Sequence, residues 1–92
     1  MYKVTIFPFT KKSLSKLDKI IQERITEKLV WLAENSDKIV HHPLVSLSEK
    51  LKGLCKLRVG NYRILYKVYH EESRISIFYI DHRNKVYNFL NN

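Results

Sequence analysis

Residues 54–69 read Leu54-Cys55-Lys56-Leu57-Arg58-Val59-Gly60-Asn61-Tyr62-Arg63-Ile64-Leu65-Tyr66-Lys67-Val68-Tyr69. Apolar and polar side chains largely alternate on both sides of Gly60-Asn61, the pattern of two half-buried strands. A Gly-Asn pair between such runs fits a two-residue hairpin loop, with glycine supplying the positive φ. That loop sets the register: Val59 opposite Tyr62, Arg58 opposite Arg63, Leu57 opposite Ile64 and Lys56 opposite Leu65. Side chains alternate between sheet faces. Cys55, Leu57, Val59, Tyr62, Ile64, Tyr66 and Val68 therefore share the core face, and Lys56, Arg58, Arg63 and Lys67 share the open one. Two arginines directly across a strand pair repel, at a cost of up to ~1 kcal/mol. Nothing acidic is expected on this face to neutralise them, since Glu71 and Glu72 lie beyond the strand end. A basic cluster held on a rigid sheet against its own repulsion is what anion binding needs. A register slip of one residue would send Arg58 or Arg63 to the core side and remove the cluster.

Upstream, Tyr2, Val4 and Ile6 alternate with Lys3 and Thr5, a strand that Pro8 ends. Leu14, Leu17, Ile21, Ile25, Leu29 and Leu32 then recur every three or four residues, an apolar helical stripe opposite a lysine-rich face. Thr10 and Asp18 are candidate N-caps, which predicts helices over about 10–17 and 19–34. Ile20, Val30, Trp31 and Ala33 are read as widening the stripe of the second helix. Residues 36–50 read as a connection, with Leu44, Leu47 and Leu51 packing it down. Downstream, His70 to Ser73 is a turn and Arg74 to Ile80 a third strand. That strand is apolar on both faces, so it is central or well covered. Asp81 to Lys85 is expected to leave the sheet, followed by a short tail from Val86 to Leu90. The order β-α-α-β-β-β predicts an α+β domain, a helical hairpin packed on a mainly antiparallel sheet.

The chain has 92 residues, 17 Lys plus Arg against 9 Asp plus Glu, and a formal net charge of +8. That length predicts one domain, residues 1–92, with one modest core. Hydrophobic residues at 45% argue against disorder. A single cysteine, Cys55, excludes an internal disulfide and a cysteine-based zinc site. It falls on the core face and reads as a small buried hydrophobe. The sequence has no apolar run long enough to span a membrane and no signal-peptide pattern at its start. The expected setting is the cytoplasm, with no membrane partner. The basic balance points to a polyanion. No carboxylate cluster is present, and the adjacent His41 and His42 diverge on an extended segment, so neither a metal nor a cofactor is expected.

The segment from Glu49 to Tyr66 resembles the L-x-G-L-x-K-L-R-x-G-x-Y-R-x-x-Y stretch of the RelE/ParE toxin superfamily, and Asp81-His82-Arg83-Asn84-Lys85-Val86-Tyr87 is similar to its closing H-R-x-x-V-Y. With the leucine-rich helical hairpin and the order of elements, the resemblance spans nearly the whole chain. It is nearest to RelE-like mRNA interferases of bacteria and archaea. It implies a toxin of a type II toxin–antitoxin pair that enters the ribosomal A site and cuts mRNA there, held inactive by a cognate RelB-like antitoxin. The alternative it implies is a ParE-like DNA gyrase inhibitor with the same fold and no nuclease activity. The family's basic positions map to Lys56, Arg58, Arg63 and Arg83, with Tyr87 as its C-terminal aromatic. Arg58 stands where some RelE proteins have lysine, the hairpin turn is shorter than in some, and the His82-Arg83 pair occurs in members of both activities.

Metal-free RNA cleavage uses the substrate's own 2′-hydroxyl, leaving a 2′,3′-cyclic phosphate and a 5′-hydroxyl. It requires a base, charge on the phosphorane and an acid for the leaving oxygen. Lys56 is the sequence candidate for the base, since crowding by Arg58 and Arg63 acts to lower the pKa of an amine. Arg58 and Arg63 hold the phosphate, guanidinium forks matching its oxygens. Arg83 faces the leaving group, and His82 is a further candidate for that proton transfer. Tyr87 stacks on a base. The nucleic-acid-binding set is Lys56, Arg58, Arg63, Lys67, Arg83 and Lys85. Trp31 is read as core or as part of an antitoxin groove.

Overall fold

The structure, a computed structural model, describes residues 1–44 and 52–86; Tyr87, Leu47 and Leu51 lie outside these residues. Strand β1 (Lys3–Ile6) is followed by helices α1 (Pro8–Ser15) and α2 (Lys19–Asn35), then strands β2 (Cys55–Val59), β3 (Tyr62–Tyr69) and β4 (Arg74–His82). The sheet order is β1-β4-β3-β2, so β4 is central, as its two apolar faces require. The β2–β3 and β3–β4 pairings are antiparallel, and β1 runs parallel to β4 with Val4 opposite Ile75 and Ile6 opposite Ile77. This is the α+β arrangement the sequence predicts.

Helix α1 begins at Pro8, two residues before the predicted start at 10, and Phe7 takes the N-cap place expected of Thr10. Pro8 both ends β1 and opens the helix: its fixed φ suits the first helical position, where a missing N–H costs nothing. The first helical bond runs from Lys11 N–H to the Phe7 carbonyl, at 2.9 Å. Thr10 sits inside the helix, 1% exposed, and its hydroxyl donates to the Phe78 carbonyl at 2.7 Å. That bond ties α1 to β4. Thr10→Val keeps the shape and removes the donor, which is expected to cost about 1–3 kcal/mol. The midpoint of urea unfolding should fall with its slope unchanged. Asp18 does occupy the N-cap of α2, but its side chain makes no capping bond. Instead the Gln22 side-chain amide reaches back to the carbonyls of Ser15 and Leu17, satisfying the end of α1.

The helical stripe forms the main core. Ile25, Leu29 and Leu32 are buried with Cys55, Ile64, Tyr66, Ile75, Ile77 and Ile80, and Leu14, Leu17 and Ile21 pack against them. The stripe is narrower than the sequence reading made it. Ala33 is buried, but Ile20, Val30 and Trp31 are 70%, 49% and 38% exposed. At 3.6 residues per turn these three project well away from the line through Ile25, Leu29 and Leu32. Trp31 is therefore not core; its ring packs under the Lys28 ammonium, 4.1 Å from the centroid.

Two features of β4 differ from the sequence reading. First, the strand continues through Asp81 and His82, which pair with Arg63 and Tyr62. Its partner β3 offers backbone groups down to Tyr62, so the ladder runs to the turn. Second, the pairing shifts between Leu65 and Tyr66: Tyr79 faces Leu65 and Ile77 faces Tyr66, leaving Phe78 as an extra residue. Such a bulge breaks strict alternation. Ile75, Ile77 and Ile80 join the main core, whereas Phe78 and Tyr79 pack with Leu44 against Leu54, Leu65 and Val86. This second cluster covers the end of the open face remote from the hairpin turn. The basic face is thereby confined to the turn end.

Candidate anion-binding site on the sheet

The hairpin register is the one read from the sequence. Arg58 faces Arg63, Lys56 faces Leu65, and Gly60 turns the chain with φ of 56°. Lys56 and Arg58 lie two residues apart on β2, hence on one face. Alternation along β4 places Asp81 on that face and His82 on the opposite one; Arg83 follows the end of the strand. The Arg83 N–H donates to the Asn61 carbonyl at 2.8 Å, fixing the chain beyond β4 against the hairpin turn.

The result is a cleft of about 630 Å³ lined by Lys28, His42, Lys56, Leu57, Arg58, Arg63 and Arg83. It wraps the outer edge of β2, from α2 round to the open face. Lys56, Arg58 and Arg83 are exposed, and Arg63 is 9% exposed. Arg63 is held from below: its Nη1 donates to the carbonyls of Gly60 and Tyr62, both at 2.9 Å. Those carbonyl dipoles offset part of the repulsion from Arg58. The expectation that this face carries no acidic residue is corrected by Asp81, which lies opposite Arg63 across β3–β4. It escaped the sequence reading because β4 was ended at Ile80. Asp81 does not line the cleft. Its carboxylate accepts the His82 N–H at 2.7 Å. Burial, the Asp81 charge and a hydrogen bond to Asp81 together raise the pKa of the Tyr79 phenol.

Four sequence-predicted residues thus converge: Lys56, Arg58, Arg63 and Arg83. Lys67 does not reach the cleft; its ammonium lies 5.3 Å from the Phe78 ring, over the second cluster. Lys85 is exposed and is not among the cleft-lining residues. His82 pairs with Tyr62, their rings 5.7 Å apart on the helix-facing side, so the sheet separates it from the cations. Tyr87 lies outside the described residues. Cys55 is buried on the core face of β2, and desolvation raises its thiol pKa, the environment of an inert cysteine.

Lys28 and His42 were missed. Lys28 looked like one more lysine on the polar face of α2; only the tertiary fold brings it beside β2. The histidine pair does diverge, as an extended segment requires. His41 packs inward, with Nδ1 at 2.8 Å from the Tyr66 hydroxyl and Nε2 at 2.9 Å from the Ser36 carbonyl. His42 takes the opposite side and enters the cleft.

Residues 6–87 match the family profile described as the ParE toxin of type II toxin–antitoxin systems. The toxin–antitoxin complex RelBE2 of Mycobacterium tuberculosis is similar, with a TM-score of 0.74 and 29% identity over 89% of this chain and 98% of the other. The isolated RelE toxin of Escherichia coli superposes with a TM-score of 0.71 at 20% identity, over 98% of this chain and all of that one. The archaeal RelE–RelB complex of Pyrococcus horikoshii gives 0.66 at 24% identity, covering 91% and 97%. No curated protein sequence matches the chain significantly. The chain belongs to the ParE toxin family, within the RelE/ParE superfamily, and is RelE-like in fold. It is a toxin of the type II toxin–antitoxin class. Among the described residues, no helix is long and apolar enough to cross a membrane.

Proposed function

We propose that this toxin is a ribosome-dependent endoribonuclease that cuts mRNA in the A site by 2′-hydroxyl attack, without metal. The observation that carries this reading is the convergence of Lys56, Arg58, Arg63 and Arg83, from three separate segments, on one cleft. These four cations, with Lys28 beside them, suit a phosphodiester passing to a phosphorane, whose charge grows as the 2′-oxygen attacks. Arg63, pinned through Nη1, presents a fixed guanidinium to the phosphate; Arg58 and Lys56 add charge from the neighbouring strand, and Arg83 faces the leaving 5′-oxygen. Tyr87 keeps the base-stacking role read from its place in the closing motif. Lys67 and Lys85, away from the cleft, serve as outer contacts for RNA phosphates, which salt weakens. The ribosome supplies the positioning of the flexible RNA.

The partners are then mRNA, the ribosome and a cognate RelB-like antitoxin, all in the cytoplasm. The complexes among the structural relatives support the antitoxin.

The name of the matching family favours a second reading, a ParE-like inhibitor of DNA gyrase with no nuclease activity. Brief induction of the toxin in growing cells separates the two. The nuclease reading expects broken mRNA within translated regions and plasmids of normal supercoiling. Intact mRNA with relaxed plasmids would transfer the protein to the gyrase class.

A further inference from the structure

We propose that His42 is the general base of the cleavage reaction, taking the proton from the attacking 2′-hydroxyl. The inference rests on the nuclease reading and assigns its proton chemistry. The cleft brings together four cations from the sequence motifs, but phosphate binding alone leaves the 2′-hydroxyl proton without an acceptor. Arginine stays protonated and lacks an acceptor lone pair, and an ammonium is a donor. Among the described residues, the charged or titratable groups facing His42 are Lys28 from α2, Lys56 and Arg58 from β2, Arg63 from β3 and Arg83 beyond β4. All are of these two kinds. His42 is the cleft residue whose side chain, as a neutral imidazole, carries an acceptor nitrogen. The other histidine near the motif, His82, lies across the sheet with Tyr62.

The backbone holds His42 in place. Its carbonyl accepts the Lys56 N–H at 3.1 Å, Pro43 bridges to Cys55, and the Leu44 N–H donates to the Leu54 carbonyl at 2.8 Å. Residues 42–44 thus lie along the outer edge of β2. His41 is anchored inward between Tyr66 and Ser36. Consecutive side chains of extended chain point apart, so that anchor directs His42 outward to the cleft.

The reaction balances with these groups. The neutral His42 imidazole accepts the 2′-hydroxyl proton as the 2′-oxygen–phosphorus bond forms. The arginines hold the phosphorane oxygens. The phosphorus–5′-oxygen bond then breaks, and the leaving oxygen takes a proton from the Lys56 ammonium. Water afterwards removes the imidazolium proton and returns one to Lys56. The base role thereby moves from Lys56 to His42, and Lys56 becomes the acid.

The test is single-turnover cleavage of ribosome-bound mRNA across pH 5.5–8.5, a range of about three units around an imidazole's ordinary pKa, with wild type, His42→Gln and His42→Lys. Wild-type rates should rise with pH and level off. His42→Gln should be ~10²–10⁴-fold slower, the usual contribution of a general base, and should lose that rise. His42→Lys supplies a cation with no acceptor lone pair and should not restore the rate. An unchanged thermal melt, and unchanged binding to ribosomes carrying an mRNA with 2′-deoxyribose at the cut position, should accompany the loss. Three results would overturn the assignment: His42→Gln within a few-fold of wild type, an unaltered pH profile in the variant, or rescue by His42→Lys, which makes the residue a charge only. Wild type that leaves ribosome-bound mRNA intact would instead fell the nuclease reading, and this inference with it.

Discussion

Arg83→Ala is expected to lower mRNA cleavage by ~10²–10³-fold, the usual effect of deleting one preorganised group that stabilises transition-state charge. The same change should leave the fold intact. Arg83 is exposed, and the bond that fixes this segment uses its backbone N–H to the Asn61 carbonyl, which alanine retains. Surface substitutions of this kind usually fall within about 0.5 kcal/mol of wild type. The pairing of a large activity loss with an unmoved melting temperature identifies Arg83 with the chemistry rather than with folding. Ribosome-dependent cleavage and a thermal melt on the same preparation check it. A variant that stays fully active removes Arg83 from the site.

Arg63→Ala should behave differently. Its activity loss should match that of Arg83→Ala, because it removes the best-fixed cation of the cleft. It should also destabilise the protein. Arg63 is 9% exposed and bonds the carbonyls of Gly60 and Tyr62 through Nη1. Hydrogen bonds to a charged group contribute about 1.5–3 kcal/mol, and truncation leaves those carbonyls facing a void. For a domain of this size each kcal/mol moves the melting temperature by roughly 4–8 °C. Arg63→Lys should recover part of the activity and little of the stability, since an ammonium lacks the fork that bridges the turn while facing a phosphate. A melt of Arg63→Ala that coincides with wild type would show that the turn does not depend on this side chain.

The contrast between the two arginines was not visible in the sequence, where both were simply basic positions of a motif. What was visible was local: the Gly60-Asn61 turn, the alternation on either side of it, and therefore the register that sets Arg58 against Arg63. Turn chemistry and a period of two are written in adjacent residues. The bulge at Phe78 was not legible, because an inserted residue in an all-apolar strand leaves no compositional mark. That bulge decides which end of the open face is covered by Leu54, Leu65 and Val86, and so why Lys67 falls outside the cleft. The extension of β4 to His82 was hidden for a related reason: Asp81 looks like a turn residue, and only the length of β3 keeps it in the ladder. That misreading moved Asp81 off the basic face and left His82 on neither. Lys28 and His42 reach the cleft through contacts between segments far apart in the chain, which no local pattern announces.

The same cleft accounts for the spread of residues in the motif. Lys56 and Arg58 share a face because they are two apart, Arg63 joins them across the hairpin, and Arg83 arrives because β4 ends where the hairpin turns. Among the described residues, the side chains of Lys56, Arg58 and Arg83 make no hydrogen bond that anion binding would have to break, and the Arg63 anchor uses Nη1. The structural relatives share this fold at 20–29% identity, so the chemistry must be decided by the residues of this chain.

The measurement that tests the central claim most directly is cleavage of a defined mRNA on ribosomes stalled with a known codon in the A site. Purified toxin is added to programmed ribosomes and, separately, to the same mRNA alone. The new ends are mapped by primer extension and their chemistry identified. The account predicts cuts within the A-site codon only when ribosomes are present, with a 2′,3′-cyclic phosphate upstream and a 5′-hydroxyl downstream, in the absence of added divalent metal beyond that needed by the ribosome. Intact mRNA in both reactions, or ends bearing a 3′-hydroxyl and a 5′-phosphate, would contradict it.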